Sequence, residues 1–288
     1  MSKILFVINP ISGDKDKEVY IKQIDKWGES LELELEKWET TGEDDEQKLQ
    51  DKIEAYQPET VVAVGGDGTV MLCASVLKDT EIVLGLLPAG SANGMAADLE
   101  IPDDIEEALN VIEQGKSIRA DMLLFNNQDL GLHISDVGLN AELVREFEEG
   151  ERRGFLGYAK GVTTQLLNLE KFEAEIHLDE KTVTEYCHMV AFANARRYGT
   201  GAVLNTKGQP DDGVFEVYIL KELSIPGLAG QFFDHIDDAA SYCDVYQTTE
   251  VKVELKEPRT FQIDGELKGD TTSVEVKILP ACIRLIVS

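Results

Sequence analysis

The sequence predicts an α/β domain followed by a β domain, with the change near residue 125. Before that point short apolar runs alternate with stretches of helical periodicity, the pattern of a mostly parallel sheet covered on both faces. After it, strand-like runs succeed one another with few helical breaks, which suggests an antiparallel sandwich packed beside the first domain. Three of the early apolar runs end in loops rich in Gly, Ser, Asn or Pro. A parallel sheet gathers such loops at its carboxyl edge, where ligands bind.

The elements follow in order. Lys3 to Ile8 is an apolar strand that runs into Asn9-Pro10-Ile11-Ser12-Gly13. Asp14 to Trp27 places Tyr20, Ile24 and Trp27 on one helical face, with Gly28 as the stop. Leu31 to Leu35 alternates as a half-buried strand, and Glu43 to Tyr56 repeats the helical spacing through Leu49, Ile53 and Tyr56. Thr60 to Val64 is a second apolar strand, followed by Gly65-Gly66-Asp67-Gly68-Thr69 and a helix-forming stretch, Val70 to Leu77. Ile82 to Leu87 is a third, followed by Pro88-Ala89-Gly90-Ser91-Ala92-Asn93-Gly94. Asp103 and Glu106 open a further helix as a relative of the capping box, turning Ile105, Ala108, Leu109 and Ile112 inward.

Beyond residue 125 the strand candidates are 173–178, 182–186, 189–192, 214–220, 250–255, 261–263, 273–278 and 283–287. Helices are expected at Leu143–Glu149, Tyr158–Leu169 and Leu228–Tyr242. No internal repeat or low-complexity linker interrupts them.

Composition narrows the function classes. The 288 residues are 43% hydrophobic, enough for a substantial core and two domains. No apolar run reaches the roughly 18–20 residues that span a bilayer. The N-terminus enters a strand directly, without the regions of a secretory signal, so a cytoplasmic location is expected, peripheral at the inner membrane face at most. Cys73, Cys187, Cys243 and Cys282 are scattered, as free thiols in a reducing compartment would be. His133, His177, His188 and His235 form no ligand pattern. The net charge of −28 excludes nucleic acid as a partner, because phosphate backbones need clustered Lys and Arg. It also disfavours broad adhesion to anionic membranes. The acidic runs Glu43–Glu46 and Glu146–Glu149 read as solvated helix faces.

A nucleotide triphosphate remains compatible with that charge. Glycine loops let the backbone approach a ligand closely, and a following helix start offers unpaired N–H groups and a positive dipole end. Asp67 inside such a loop would repel a bare phosphate; it suits Mg²⁺, or a hydroxyl about to lose its proton.

These motifs carry a resemblance. Asn9-Pro-x-Ser-Gly13, Gly65-Gly-Asp-Gly-Thr69 and Pro88-x-Gly-Ser-x-Asn93 resemble the nucleotide-binding motifs of the diacylglycerol kinase catalytic family, which includes bacterial lipid kinases and sphingosine kinases. Asp136 to Ala141, Asn194 to Gly199, Pro210 to Gly213 and Ile263 to Glu266 appear in the family's order. The resemblance implies an ATP-dependent kinase acting on a lipid or lipid-like alcohol, with Mg²⁺ and an active site in the cleft between the domains. It implies domains of 1–125 and 126–280, with a final strand over about 281–288 returning to the first. The nucleotide would contact Asn9, Pro10, Ile11, Ser12, Gly13, Thr40, Gly65, Gly66, Asp67, Gly68, Thr69, Gly90, Ser91 and Asn93. Thr41 is the alternative to Thr40, and either can cap the helix that follows. Transient contact with a membrane surface and a homodimer are both compatible with it.

Asp264-Gly265-Glu266 sets two carboxylates around a glycine. By its residues it is equally a hairpin turn and a base for an alcohol hydroxyl. The resemblance favours a base at Asp264 or Glu266, with Asp67 as a third candidate. Gln209 to Val214 is a turn rich in oxygen donors, suited to a hard cation or simply solvated. Here the resemblance implies a structural Mg²⁺ held by the Asp212 side chain and the carbonyls of Gln209 and Val214. In one departure Gly94 stands where the family usually has Asp, which leaves a catalytically weak nucleotide-binding regulator as an alternative. NAD kinase shares the Gly-Gly-Asp-Gly loop and is the other, although its Gly-Ser-Thr-Ala-Tyr run is missing here. Phe147, Phe155, Leu156, Tyr158, Leu166, Leu167, Phe232 and Phe233 read as core rather than as a lipid slot. The lipid acceptor therefore rests on the resemblance.

Overall fold

The computed structural model describes residues 3–13, 15–91, 93–139, 141, 170–179, 181–194, 208–222 and 243–288. The three helices expected in the second half, and the eight apolar residues read above as core, lie outside the described residues. The described chain forms two compact units. One holds the chain up to Met122 and again from Pro280 to Ser288; the other holds described residues between Leu123 and Leu279.

In the first unit, strands β1 (Lys3–Ile8), β2 (Glu34–Glu39), β3 (Thr60–Gly65) and β4 (Val83–Pro88) alternate with helices α1 (Lys17–Ser30), α2 (Asp45–Tyr56) and α3 (Asp67–Leu77). A short α4 (Gly94–Asp98) and α5 (Ile105–Gln114) follow. The order β4-β3-β1-β2 is parallel throughout, with Val7 beside Ala63 and Val62 beside Gly85. Leu5, Val61, Val62, Leu84 and Leu86 are almost wholly buried, as expected of strands covered on both faces.

Two local expectations are corrected. Gly28 does not stop α1, which continues to Ser30. The glycine is there for packing, since a Cβ on it would stand 2.2 Å from Leu35 Cδ1. Consequently the second strand begins later than Leu31. Leu31 to Leu33 make the turn after α1, and β2 takes Glu34–Glu39 at the sheet edge. The cap of α5 is Asp104 rather than Asp103; its carboxylate accepts the N–H groups of Glu106 and Glu107.

Beyond α5 comes β5 (Ser117–Phe125), a strand the sequence hides because Arg119 and Asp121 break its apolar run. The second unit is antiparallel, as expected. It contains β6 (Asp129–Gly131), β7 (Ile134–Gly138), β8 (Phe172–Leu178), β9 (Thr182–Cys187), β10 (Met189–Ala193), β11 (Phe215–Leu220) and β12 (Cys243–Thr248). Long strands β13 (Glu250–Ile263) and β14 (Glu266–Ile286) each absorb two of the separate strands expected from the sequence. A register shift between Glu254 and Arg259 interrupts their pairing, so the alternation in the sequence breaks while the strand continues. Phe125, Phe192 and Phe261 pack edge-to-face or tilted in the core of this unit. The end of β14 pairs in parallel with β4, Arg284 beside Val83.

Candidate nucleotide site

The three glycine loops of the first unit meet at the carboxyl edge of its sheet and touch through backbone. Asn9 N–H donates to the Val64 carbonyl at 3.0 Å, and Ala89 N–H to that of Gly65 at 2.8 Å. The Ser12 hydroxyl donates to the carbonyls of Asn9 at 3.1 Å and Ala89 at 3.4 Å. Gly90 N–H donates to Asn93 Oδ1 at 2.9 Å. The glycines are required by this closeness. A Cβ on Gly90 would lie 2.4 Å from Gly66 Cα, and one on Gly13 (φ +57°) 2.8 Å from the Ala89 carbonyl oxygen. Gly65, Asp67, Val70, Pro88, Asn93 and Ala96 line a small recess where the second and third loops face each other.

The start of α3 is a helix N-terminus, the kind of place where anions bind. Its N-cap, Gly66, brings no side-chain hydrogen bond, while the Thr69 N–H is given to the Gly66 carbonyl at 2.9 Å. Thr69 is 3% exposed, and its hydroxyl oxygen finds no hydrogen-bond partner among the described residues. Gly68 and Ser91 are exposed, as are Pro10 and Ile11 at the tip of the first loop. Asp67 lies in the same place, but its two oxygens already accept backbone N–H groups from Gly94 and Met95, each at 3.0 Å. A carboxylate has about four lone-pair positions, so both oxygens keep one.

In the second unit Asp264 and Gly265 form the two-residue turn between β13 and β14, both at positive φ (+48° and +90°). The hairpin reading of the dipeptide is therefore correct, and it does not exclude chemistry. Asp264 Oδ2 accepts the Leu132 N–H at 2.6 Å and Oδ1 that of His133 at 3.0 Å. Around it, Gln262 bonds Asp136 and takes the Gly265 N–H at 2.5 Å, while Asn194 Nδ2 donates to the Leu132 carbonyl at 3.1 Å. Gln262, Asp136 and Asn194 are almost fully buried. Glu266, at the start of β14, is exposed and lies 3.7 Å from the Lys268 ammonium.

Two family models account for nearly the whole chain: the diacylglycerol kinase catalytic domain matches residues 3–125, and the YegS C-terminal NAD kinase beta sandwich-like domain matches 134–287. The chain belongs to the diacylglycerol kinase catalytic family. Among its relatives is the "Probable lipid kinase YegS-like" protein of Yersinia enterocolitica, 26% identical over 96% of this chain and 94% of that one. An uncharacterized Synechocystis protein is 30% identical over 78% of this chain but 54% of its own length, so the chain spans about half of that relative. A crystal structure of a diacylglycerol kinase from Bacillus anthracis aligns with TM-score 0.74 at 18% identity, covering 100% of this chain and 97% of that one. A second Bacillus anthracis structure aligns at 0.81 and 22% over the same shares. At these identities the two structures show a shared fold and no more.

Within this lipid kinase family the remaining expected residues fall as follows. Thr40 sits at the end of β2, its N–H on the Ile8 carbonyl at 2.9 Å. Thr41 is spent locally, its hydroxyl donating to Asp45 Oδ1 at 2.8 Å, so Thr40 is the one left at the sheet edge. Thr41 and Gly42 also give Asp45 backbone N–H bonds; against the opposing effect of burial, they hold its carboxyl below the usual range. In the turn of Gln209, Asp212 and Val214, Asp212 Oδ1 accepts the Val214 N–H at 3.2 Å. One carboxylate plus backbone carbonyls is a donor set Mg²⁺ accepts, though no group of three His, Cys, Asp or Glu converges among the described residues.

Sequence reasoning gave no place to Lys15 and Lys17, and read Tyr20 only as part of the buried face of the first helix. Tyr20 Oη donates to the Pro88 carbonyl at 2.8 Å, and Lys15 Nζ to the same oxygen at 3.1 Å. The signal was present: Lys15 and Lys17 follow a glycine loop directly, and Lys17 opens the first helix.

Proposed function

We propose that the protein transfers the γ-phosphoryl group of ATP to the hydroxyl of a lipid alcohol, diacylglycerol or a relative, with Mg²⁺. The observation that carries this is the meeting of three glycine loops at one sheet edge, with an uncapped helix start and an orphaned Thr69 hydroxyl beside them. Family membership supports the kinase and the lipid class. In this reading Asn9 to Gly13, Gly65 to Thr69 and Gly90 to Asn93 would hold the triphosphate, and Asp67 would hold the metal through its remaining lone pairs. The metal, when bound, neutralises charge developing on the transferred group. Asp212 and the carbonyls of Gln209 and Val214 would hold a second, structural Mg²⁺.

For the base we assign Glu266. Asp264 is engaged by two backbone N–H groups and holds the turn, whereas Glu266 is exposed and able to meet a hydroxyl. NAD as acceptor is a second reading, favoured by the description of the matched sandwich domain. Radiolabelled ATP offered with diacylglycerol, sphingoid bases, phosphatidylglycerol and NAD separates these. Label in a lipid, dependent on Mg²⁺, is the expected outcome. Label in NAD alone would establish the second reading, and ATP binding without any transfer would leave a regulator.

A further inference from the structure

Lys17 is 8% exposed, an unusual place for a lysine in a chain carrying a net charge of −28. Its ammonium donates to three backbone carbonyls: Ser12, Lys15 at 3.1 Å and Ala89 at 3.2 Å. An ammonium has three N–H donors, so these bonds use all of them. Two of the acceptors belong to different glycine loops, Ser12 to the first and Ala89 to the third. They meet where Gly13 approaches the Ala89 carbonyl too closely for a side chain. Burial, then the Lys15 charge, pull the amine below its ordinary pKa against the opposing pull of Asp16, so the cation is held at some cost.

Carbonyl oxygens carry partial negative charge, and a loop that accepts polyphosphate must turn them elsewhere. A planar trans peptide puts the N–H of residue i+1 opposite the carbonyl of residue i. With the Ser12 carbonyl drawn to Lys17, the Gly13 N–H is directed away from the lysine. A hydrocarbon side chain would fill the same space without desolvating a charge. We propose that Lys17 is a positioning residue for the nucleotide: it seams the first and third loops and withdraws their carbonyls from the phosphates, acting through backbone rather than by contact. The inference rests on the nucleotide reading above and adds a residue to it.

The test is calorimetric binding of ATP, ADP and AMP to the full chain, wild type against Lys17→Met and Lys17→Arg. A charge-assisted hydrogen bond lost at the seam predicts about tenfold weaker ATP binding in Lys17→Met, with a smaller loss for AMP. With an acceptor present, KM for ATP rises while kcat changes less. Lys17→Arg keeps the charge but offers a planar fork, so it shifts ATP affinity in the same direction by less. It also decides the matter should Lys17→Met fail to fold. Amide exchange without nucleotide is expected to speed up in peptides covering residues 9–13 and 88–91 only. Wild-type affinity in both variants, or equal losses for ATP and AMP, overturns the proposal. A wild type that binds ATP yet phosphorylates nothing sinks the kinase reading and leaves this one standing on its dissociation constants.

Discussion

Asp67 Oδ2 accepts the N–H of Gly94 at 3.0 Å, and its partner oxygen takes that of Met95 at the same distance. The second glycine loop thus caps the short helix that begins the third loop's exit, and does so from 27 residues away. The cap native to that helix, Asn93, makes no side-chain cap bond. Asp67 therefore ties two glycine loops together whatever it does for a metal.

Asp67→Asn follows from that double role. An amide side chain offers one oxygen where two N–H groups need acceptors, and a lost N-cap typically costs about 0.5–2 kcal/mol. Phosphoryl transfer is expected to vanish and the melting temperature to fall by a few degrees, roughly 2–4 °C per kcal/mol in a chain of this size. Scanning calorimetry with a transfer assay checks both. An unchanged melting temperature would remove the structural half of the assignment, and full turnover the catalytic half.

Gly66 and Gly90 face each other, yet they should respond differently to alanine. A Cβ on Gly90 meets Gly66 Cα at 2.4 Å and its nitrogen at 2.9 Å, backbone that cannot swing aside, and Asn93 Oδ1 at 2.9 Å. Among the described residues a Cβ on Gly66 meets only Gly90 Cα, at 3.2 Å. Overpacking costs about 1–3 kcal/mol. Gly90→Ala is expected to lose that much stability in urea unfolding and to lose ATP binding. Gly66→Ala should lose less, since its one tight contact needs a shift of only a few tenths of an ångström. Equal penalties would mean that the loops do not approach as described.

The thiols give a test that needs no substrate. Burial pushes Cys187 and Cys243 up to about 12 and Cys282 to about 11, and raises Cys73 further. All four are therefore protonated at about pH 8; in native protein the buried Cys73, Cys187 and Cys282 should resist iodoacetamide and the half-buried Cys243 should react first, while unfolded protein takes four labels. The sign of the linkage is that of a raised folded-state value. These thiols stabilise the fold fully below their ordinary value of 9.0, and that contribution disappears as pH climbs toward 11 and 12. Mass spectrometry of labelled protein and melting temperatures above pH 9 read the two effects. Rapid native labelling at Cys73, Cys187 or Cys282 would contradict the burial.

How far the sequence could be read depended on the range of the interactions. Strands β1, β3 and β4 were legible because a strand buried on both faces must be apolar at every position, and the glycine loops because only glycine permits their approach. β5 was hidden by Arg119 and Asp121, although Asp121 is 1% exposed and accepts the Ala281 N–H at 2.7 Å. A charge satisfied by a partner 160 residues away leaves no local trace. Lys17 was invisible for the same reason, since sequence shows a charge and not the carbonyls that surround it. Gly28 was misread because a stop and a close approach to Leu35 demand the same residue.

The pair Asp264 and Glu266 brings stability and chemistry apart. Asp264 holds the β13–β14 turn at φ +48°, a conformation asparagine tolerates, so Asp264→Asn keeps the backbone possible. It leaves one side-chain oxygen for the N–H groups of Leu132 and His133, however, and a buried donor without an acceptor costs about 1–3 kcal/mol. Glu266 is exposed, with Lys268 at 3.7 Å, so Glu266→Gln should change stability by no more than about 0.5 kcal/mol. If Glu266 takes the hydroxyl proton, Glu266→Gln lowers kcat about 10²–10⁴-fold at an unchanged melting temperature. Asp264→Asn is expected to lower both the melting temperature and the rate. Steady-state kinetics at saturating ATP beside thermal melts separates the roles. Wild-type kcat in Glu266→Gln, with a large loss in a still-folded Asp264→Asn, would transfer the base to Asp264.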